Sequence, residues 1–110
     1  MISKKAEEIR GILTAKLISH TVNNPIKSKT LERLYGISGT TVREIVHYQR
    51  TKYRHPIASD ANGYYMARNQ DELQHTIAQL RSRVKRINEV ATALENCPMF
   101  YRETQGSLNL

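Results

Sequence analysis

The stretch LERLYGISGTTVREIV, from Leu31 to Val46, constrains the fold more than any other part of this chain. Leu31, Leu34 and Tyr35 carry helical spacing up to Gly36, and the same periodicity resumes at Val42, Ile45 and Val46. Gly36 accepts the positive φ at which a first helix must end, Ile37 can plug the core beneath the corner, and Ser38 can cap the helix that follows. Two short helices are therefore expected to meet at a tight corner. The apolar positions face inward and leave Gly39, Thr40, Arg43, Glu44, His47 and Arg50 on the opposite side.

The segments on either side read in the same way. Ala6, Ile9, Leu13 and Leu17, with Ile12 and Ile18 beside them, form one stripe of a helix from about Lys4 to His20, capped by Ser3 and helped by Glu7 and Glu8 near its positive end. TVNNP stops it, because the residue before Pro25 is pushed out of helical geometry. Ile26 and its neighbours suit a very short strand, and Ser28 suits the cap of the next helix. After the helix that runs to about Lys52, Pro56 ends the helical pattern. Asn62-Gly63 is a strong two-residue hairpin signal with strand-like flanks. Asn69 with Glu72 makes a variant capping box for a helix running to about Asn96. The expected order is helix, short strand, helix, turn, helix, hairpin, long helix: a mainly α fold with one small β-hairpin.

LERLYGISGTTVREIV resembles the helix-turn-helix of winged-helix regulators through Leu31, Tyr35, Gly36, Ile37, Ser38, Thr41, Val42 and Arg43. PIASDANGYYM is similar to the wing of such proteins through Pro56, Ile57, Ser59, Gly63, Tyr64 and Met66. One position departs. The family usually has Ala after the leucine, and this chain has Glu32, so either the two helices stand slightly apart or Glu32 tilts toward Arg33 or Lys29. More loosely, the chain resembles small winged-helix proteins carried by phages and mobile elements, many of which add one long helix. The resemblance implies a winged helix-turn-helix over 1–68, with the second helix of the corner entering a DNA groove. Ser38, Gly39, Thr40, Thr41, Arg43, Glu44, His47 and Arg50 would lie nearest the DNA. Lys52, Arg54 and Asn62 would contact phosphate rather than bases. Backbone amides at the start of that helix could bind phosphate as well.

From residue 69 the apolar spacing alternates four and three: Leu73, Ile77, Leu80, Val84, Ile87, Ala91, Leu94. That is a heptad seam. The long helix, 69–97, is read as a dimerisation helix, with a two-stranded coiled-coil-like pairing favoured by β-branched residues in one set and mostly leucine in the other. The competing arrangement folds it back onto the stripe of the first helix. The flanking residues leave parallel and antiparallel pairing open. RSRVKR, Arg81 to Arg86, reads as a solvated face, with a phosphate contact or an acidic partner as the functional alternative. A flexible tail is expected over 98–110.

Charge and composition bound the function. The 110 residues carry 39% hydrophobic and 25% charged positions, the balance of a globular chain of one domain with an appended helix. The formal net charge of +7 is uneven: through Arg68 there are twelve Lys/Arg against five acids, and afterwards five of each. The excess sits where a polyanion would bind. The single cysteine, Cys97, excludes an internal disulfide and a cysteine-based zinc cluster. The four histidines lack ligand spacing, and no phosphate loop, activated nucleophile or carboxylate cluster is present, so no metal, cofactor or enzymatic activity is expected. MISKKAEEIRG has no apolar block behind its lysines and no run is long enough to cross a bilayer, so a cytoplasmic protein without a membrane partner is expected. The expected function is sequence-specific binding of double-stranded DNA by a homodimer reading an inverted repeat, with transcriptional control as its use. A DNA-binding component of replication, recombination or packaging is the second reading. A winged-helix module that binds a protein partner is the third.

Overall fold

Ser3 is extended and accepts a hydrogen bond from the Ala6 N–H at 3.2 Å, which starts α1, Lys4–Ile18. The computed structural model describes residues 2–98; of the tail expected at 98–110, all but Pro98 lies outside the described residues. After α1 come α2 (Ser28–Tyr35), α3 (Gly39–Thr51), β1 (Ile57–Asp60), β2 (Gly63–Met66) and α4 (Gln70–Glu95). The architecture among the described residues is mainly helical, with one two-stranded antiparallel sheet and a long final helix.

Several ends differ from the sequence reading, each for a local reason. α1 stops at Ile18 rather than His20, because Ser19 closes it: its hydroxyl donates to the Lys16 carbonyl at 2.8 Å and its N–H turns back to the same turn. Ser28 does not cap α2. Lys27 holds the cap position without a side-chain bond, and Ser28 is the first helical residue, its hydroxyl donating to Glu32 Oε2 at 3.0 Å. Gly36 ends α2 at φ 60°, ψ 43°, the left-handed cap expected there. Ser38 caps α3 through the Thr41 N–H at 3.1 Å.

The hairpin also turns one residue earlier than its sequence signal. Asp60 pairs with Gly63, so Ala61 and Asn62 form the turn, and the Asn62 N–H is fixed by Asp60 Oδ1 at 2.7 Å. Gly63 has another task. It opens β2 at φ 134°, and a Cβ there would stand 2.4 Å from the Ile26 carbonyl oxygen. Ile26 and Tyr64 exchange two backbone hydrogen bonds, each 2.8 Å, so the link between α1 and α2 adds a one-residue bridge to the edge of β2.

Successive strand residues face opposite ways, and both faces of this hairpin are covered. Ile57 joins Ala6, Leu13, Leu17, Ile26, Leu31, Val42, Ile45 and Val46 in the main core, with Tyr64 and Met66 packed against it. The stripe of α1 thus finds cover in α2, α3 and the hairpin. Ile12, Ile18 and Leu34 stay exposed. On the other face Ala58, Tyr65 and Ala67 are buried with Val22 and Leu73 against them. Thr76 secures the same face: its hydroxyl accepts from the Ser59 N–H at 3.1 Å and donates to the Ser59 carbonyl at 3.2 Å.

The chain divides into two compact units between Thr76 and Ile77, inside α4 rather than at the boundary of 68 and 69. The first turns of α4 belong to the first unit because Leu73 and Thr76 complete the hairpin's second face. The capping box at Asn69 forms in a modified way: Asn69 Oδ1 accepts from the Glu72 N–H at 2.9 Å, while Glu72 Oε1 accepts from the N–H of Arg68, one residue earlier than expected.

Two glycines should respond oppositely to alanine. Gly63→Ala combines left-handed strain with a backbone clash and is expected to lower unfolding free energy by about 3 kcal/mol. Gly11→Ala sits in an open position of α1 and is expected to raise it by about 0.5–1 kcal/mol. Denaturant melts of the two variants check both signs.

Candidate nucleic-acid interface

α3 divides its residues sharply. Val42, Ile45 and Val46 are buried, and Gln49 joins them at 2% exposure, a buried polar residue that the sequence reading did not identify. Its amide donates to Thr14 Oγ1 at 2.8 Å, and that hydroxyl donates to the Arg10 carbonyl at 2.7 Å. Arg10 Nη1 reaches back to Gln49 Oε1 at 3.4 Å. This network fixes α3 along α1, because a buried amide must find its partners or lose roughly 1–3 kcal/mol per unsatisfied group. Arg10 also lies 4.9 Å from the ring centroid of Tyr53 and 5.5 Å from that of Tyr48, which ties the end of α3 to α1 by cation–π contact.

The opposite face presents Thr40, Arg43 and His47, all exposed. They occupy one stripe by the spacing of three and four, and Arg43 Nη2 donates to Thr40 Oγ1 at 3.2 Å, which orients the guanidinium. Ser38 is exposed at the start of the helix. Thr41 is half-buried, its hydroxyl 3.1 Å from that of Ser38. Gly39 is half-buried, and a Cβ there would come within 3.3 Å of the Glu32 carboxylate. Glu32 therefore turns neither to Arg33 nor to Lys29, but lies between Ser28 and the first residue of α3. A side chain in place of Gly39 would crowd it.

Two residues expected on the contact face are engaged within the fold. Arg50 is half-buried: its Nε donates to the Ile57 carbonyl at 2.8 Å and its Nη2 to Ser59 Oγ at 3.3 Å, so it clamps α3 to β1. Glu44 accepts from the Ser3 N–H at 3.0 Å and the Ser3 hydroxyl at 2.8 Å, which brings the start of α1 to α3. The sequence could not reveal either role, since both partners lie far away along the chain or across an unformed strand.

Lys52, Arg54 and Asn62 are exposed, the first two in the connection from α3 to β1 and the third at the hairpin turn. Arg54 holds φ 59°, an unusual left-handed position for a residue with a side chain. The sequence reading omitted Lys27 and Lys29. They line a groove with Ser59, Asp60, Ala61 and Gly63, between the start of α2 and the hairpin turn. Lys29 and Arg33 line a second groove with Glu32, Gly36 and Ile37. The charge excess before residue 68 was the available signal for them.

Chemically, the face offers hydroxyls, a guanidinium and an imidazole, with ammonium and guanidinium groups in the neighbouring loops. Comparison of the chain with protein-family models, with curated proteins and with solved structures finds no match. Among the described residues no helix is long and apolar enough to cross a membrane.

The Ser3 contacts hold the Glu44 carboxyl below its ordinary value of 4.5, the backbone N–H first and the hydroxyl second. A depressed carboxyl stabilises the fold above its unfolded pKa, and that contribution disappears as pH falls through the folded value. Glu44→Ala should therefore melt below the parent protein at pH 7, with the difference shrinking as pH falls below the ordinary carboxylate range. Thermal melts across that range check it.

Proposed function

We propose that this protein binds double-stranded DNA sequence-specifically as a winged helix-turn-helix, with α3 as the recognition helix and the hairpin as the wing. The observation that carries the reading is the exposed Thr40–Arg43–His47 stripe, on a helix whose other side is fixed to α1 by the Thr14–Gln49 network and to β1 by Arg50. A recognition helix needs this combination: a rigid attachment, and an outer face with donors that reach base edges. The tight corner at Gly36 to Ser38 and the order of elements support the same architecture. Lys52 and Arg54 contact phosphate beside α3, Asn62 does so at the wing tip, and Lys27 and Lys29 extend the basic surface near that tip.

Arg50 and Glu44 act as positioning residues on this account. The contact set narrows to Ser38, Gly39, Thr40, Arg43 and His47 for the groove, with Thr41 held back against Ser38. The protein works as a homodimer through the seam of α4, reads an inverted repeat, and controls transcription from it.

The variants separate contact from scaffold. Arg43→Ala is expected to weaken binding to the preferred duplex roughly tenfold to a hundredfold, by the 1–3 kcal/mol of a base contact, with an unchanged melting temperature. Arg50→Ala should lower the melting temperature first. Arg54→Gly removes one phosphate contact while relieving the left-handed strain, so it should stabilise the fold and flatten the logarithmic salt slope by about one unit. Fluorescence anisotropy on labelled duplexes over a salt series, beside thermal melts, reads all three. Unchanged affinity in Arg43→Ala and an unchanged salt slope in Arg54→Gly would remove this surface from consideration.

A further inference from the structure

Beyond Ile77, which is half-buried, the seam of α4 is uncovered in the single chain. Val84 is 66% exposed, Ile87 67%, Val90 60% and Leu94 71%, and Leu80 and Ala91 are exposed with them. Leu73 does not belong to this surface, since it packs on Ala58, Tyr65 and Ala67. What remains is a seam of six residues, Ile77, Leu80, Val84, Ile87, Ala91 and Leu94, on a helix that continues to Glu95.

We infer that this seam pairs with the same seam of a second copy in antiparallel orientation, with Val84 of each chain layered against Ile87 of the other. The inference rests on the homodimer in the proposed function and gives that dimer its geometry. In this register the layers outward from the dyad are Val84 with Ile87, Leu80 with Ala91, and Ile77 with Leu94, each occurring twice. No seam residue is left without a partner, and the small Ala91 always meets the large Leu80.

Parallel pairing does worse on two counts. It places Ala91 against Ala91, which leaves a gap in the core. It places β-branched Ile87 in the position that favours leucine in parallel two-stranded coils.

The flanking residues favour the antiparallel register. Arg81 of one chain lies along the edge of the other beside Asn88 and Glu95, so two symmetric Arg81–Glu95 ion pairs close the seam. The aliphatic stem of Arg83 covers Val90 of the second copy, which accounts for an exposed valine just outside the seam. In the parallel arrangement Glu95 meets Val90, and Arg81 meets Thr76.

Cys97 is the only cysteine and serves as the reporter, because it lies two residues beyond the end of α4. Antiparallel pairing separates the two Cys97 residues by roughly 35 Å at 1.5 Å per residue, and parallel pairing brings them to about 10 Å, the spacing of packed helices. The experiment uses the full chain, with sedimentation equilibrium at micromolar concentration and spin-label distance measurement at Cys97. The expected result is a mass of two chains with the long distance. Arg81→Glu and Glu95→Arg should each weaken the dimer roughly threefold to tenfold, by the strength of exposed pairs, and the double exchange should restore it. A one-chain mass, a larger oligomer, a short Cys97 distance or failure of the double exchange to restore pairing would each overturn the inference. Anisotropy on DNA in the same samples separates the two readings. Lost pairing with retained DNA binding defeats this geometry alone, and retained pairing without DNA binding defeats the DNA reading alone.

Discussion

The close approach of Gly63 to Ile26 holds the first unit together. An isolated hairpin of two four-residue strands is marginal in water. Here it gains a third edge contact, because Ile26 exchanges two 2.8 Å hydrogen bonds with Tyr64, and that approach leaves no room for a Cβ at position 63. Once the bridge forms, β2 is anchored to the link between α1 and α2, and Ile57, Tyr64 and Met66 fall over the helical core. Tyr65 then points the other way, 1% exposed. Its burial raises the phenol pKa, aided by the charges of Asp60 and Glu72. Leu73 and Thr76 cover it, which is why the helix that follows the hairpin begins as part of the first unit.

The second constraint is polar. Gln49 is buried in a face that is otherwise aliphatic, and it is satisfied by Thr14 at 2.8 Å. A leucine at either position would remove this hydrogen bond and leave the remaining polar group buried without its partner. The hydrogen bond sets one axial position and one rotation, and Arg10, between Tyr48 and Tyr53, holds the far end of the same helix. Arg50 on β1 and Glu44 on Ser3 complete the attachment. A helix fixed from four directions presents Thr40, Arg43 and His47 at defined positions, which any reading of a rigid groove requires.

Much of this was legible in the sequence, and the boundary of legibility is physical. Helical periodicity, the caps at Ser3 and Ser38, and the corner at Gly36 are local, so they could be read from neighbouring residues. The buried stripe of α1 and the inner face of α3 followed from spacing alone. Long-range polar contacts were not legible: Arg50 and Glu44 read as outward charges because their partners lie on β1 and before α1. Asn62-Gly63 signalled a hairpin correctly but misplaced its turn, since Gly63 answers to a backbone that approaches from Ile26. Leu73 fitted the heptad pattern by spacing and was claimed instead by Tyr65. In each case a nonlocal contact overrode a local pattern.

The claim that this surface reads DNA is tested most directly by selecting bound sequences from random duplex DNA with the purified full-length chain. The account predicts enrichment of one inverted repeat, with half-sites about one or two helical turns apart as a two-fold dimer requires. Failure to retain any duplex at low salt, or retention without enrichment of any sequence, would contradict it.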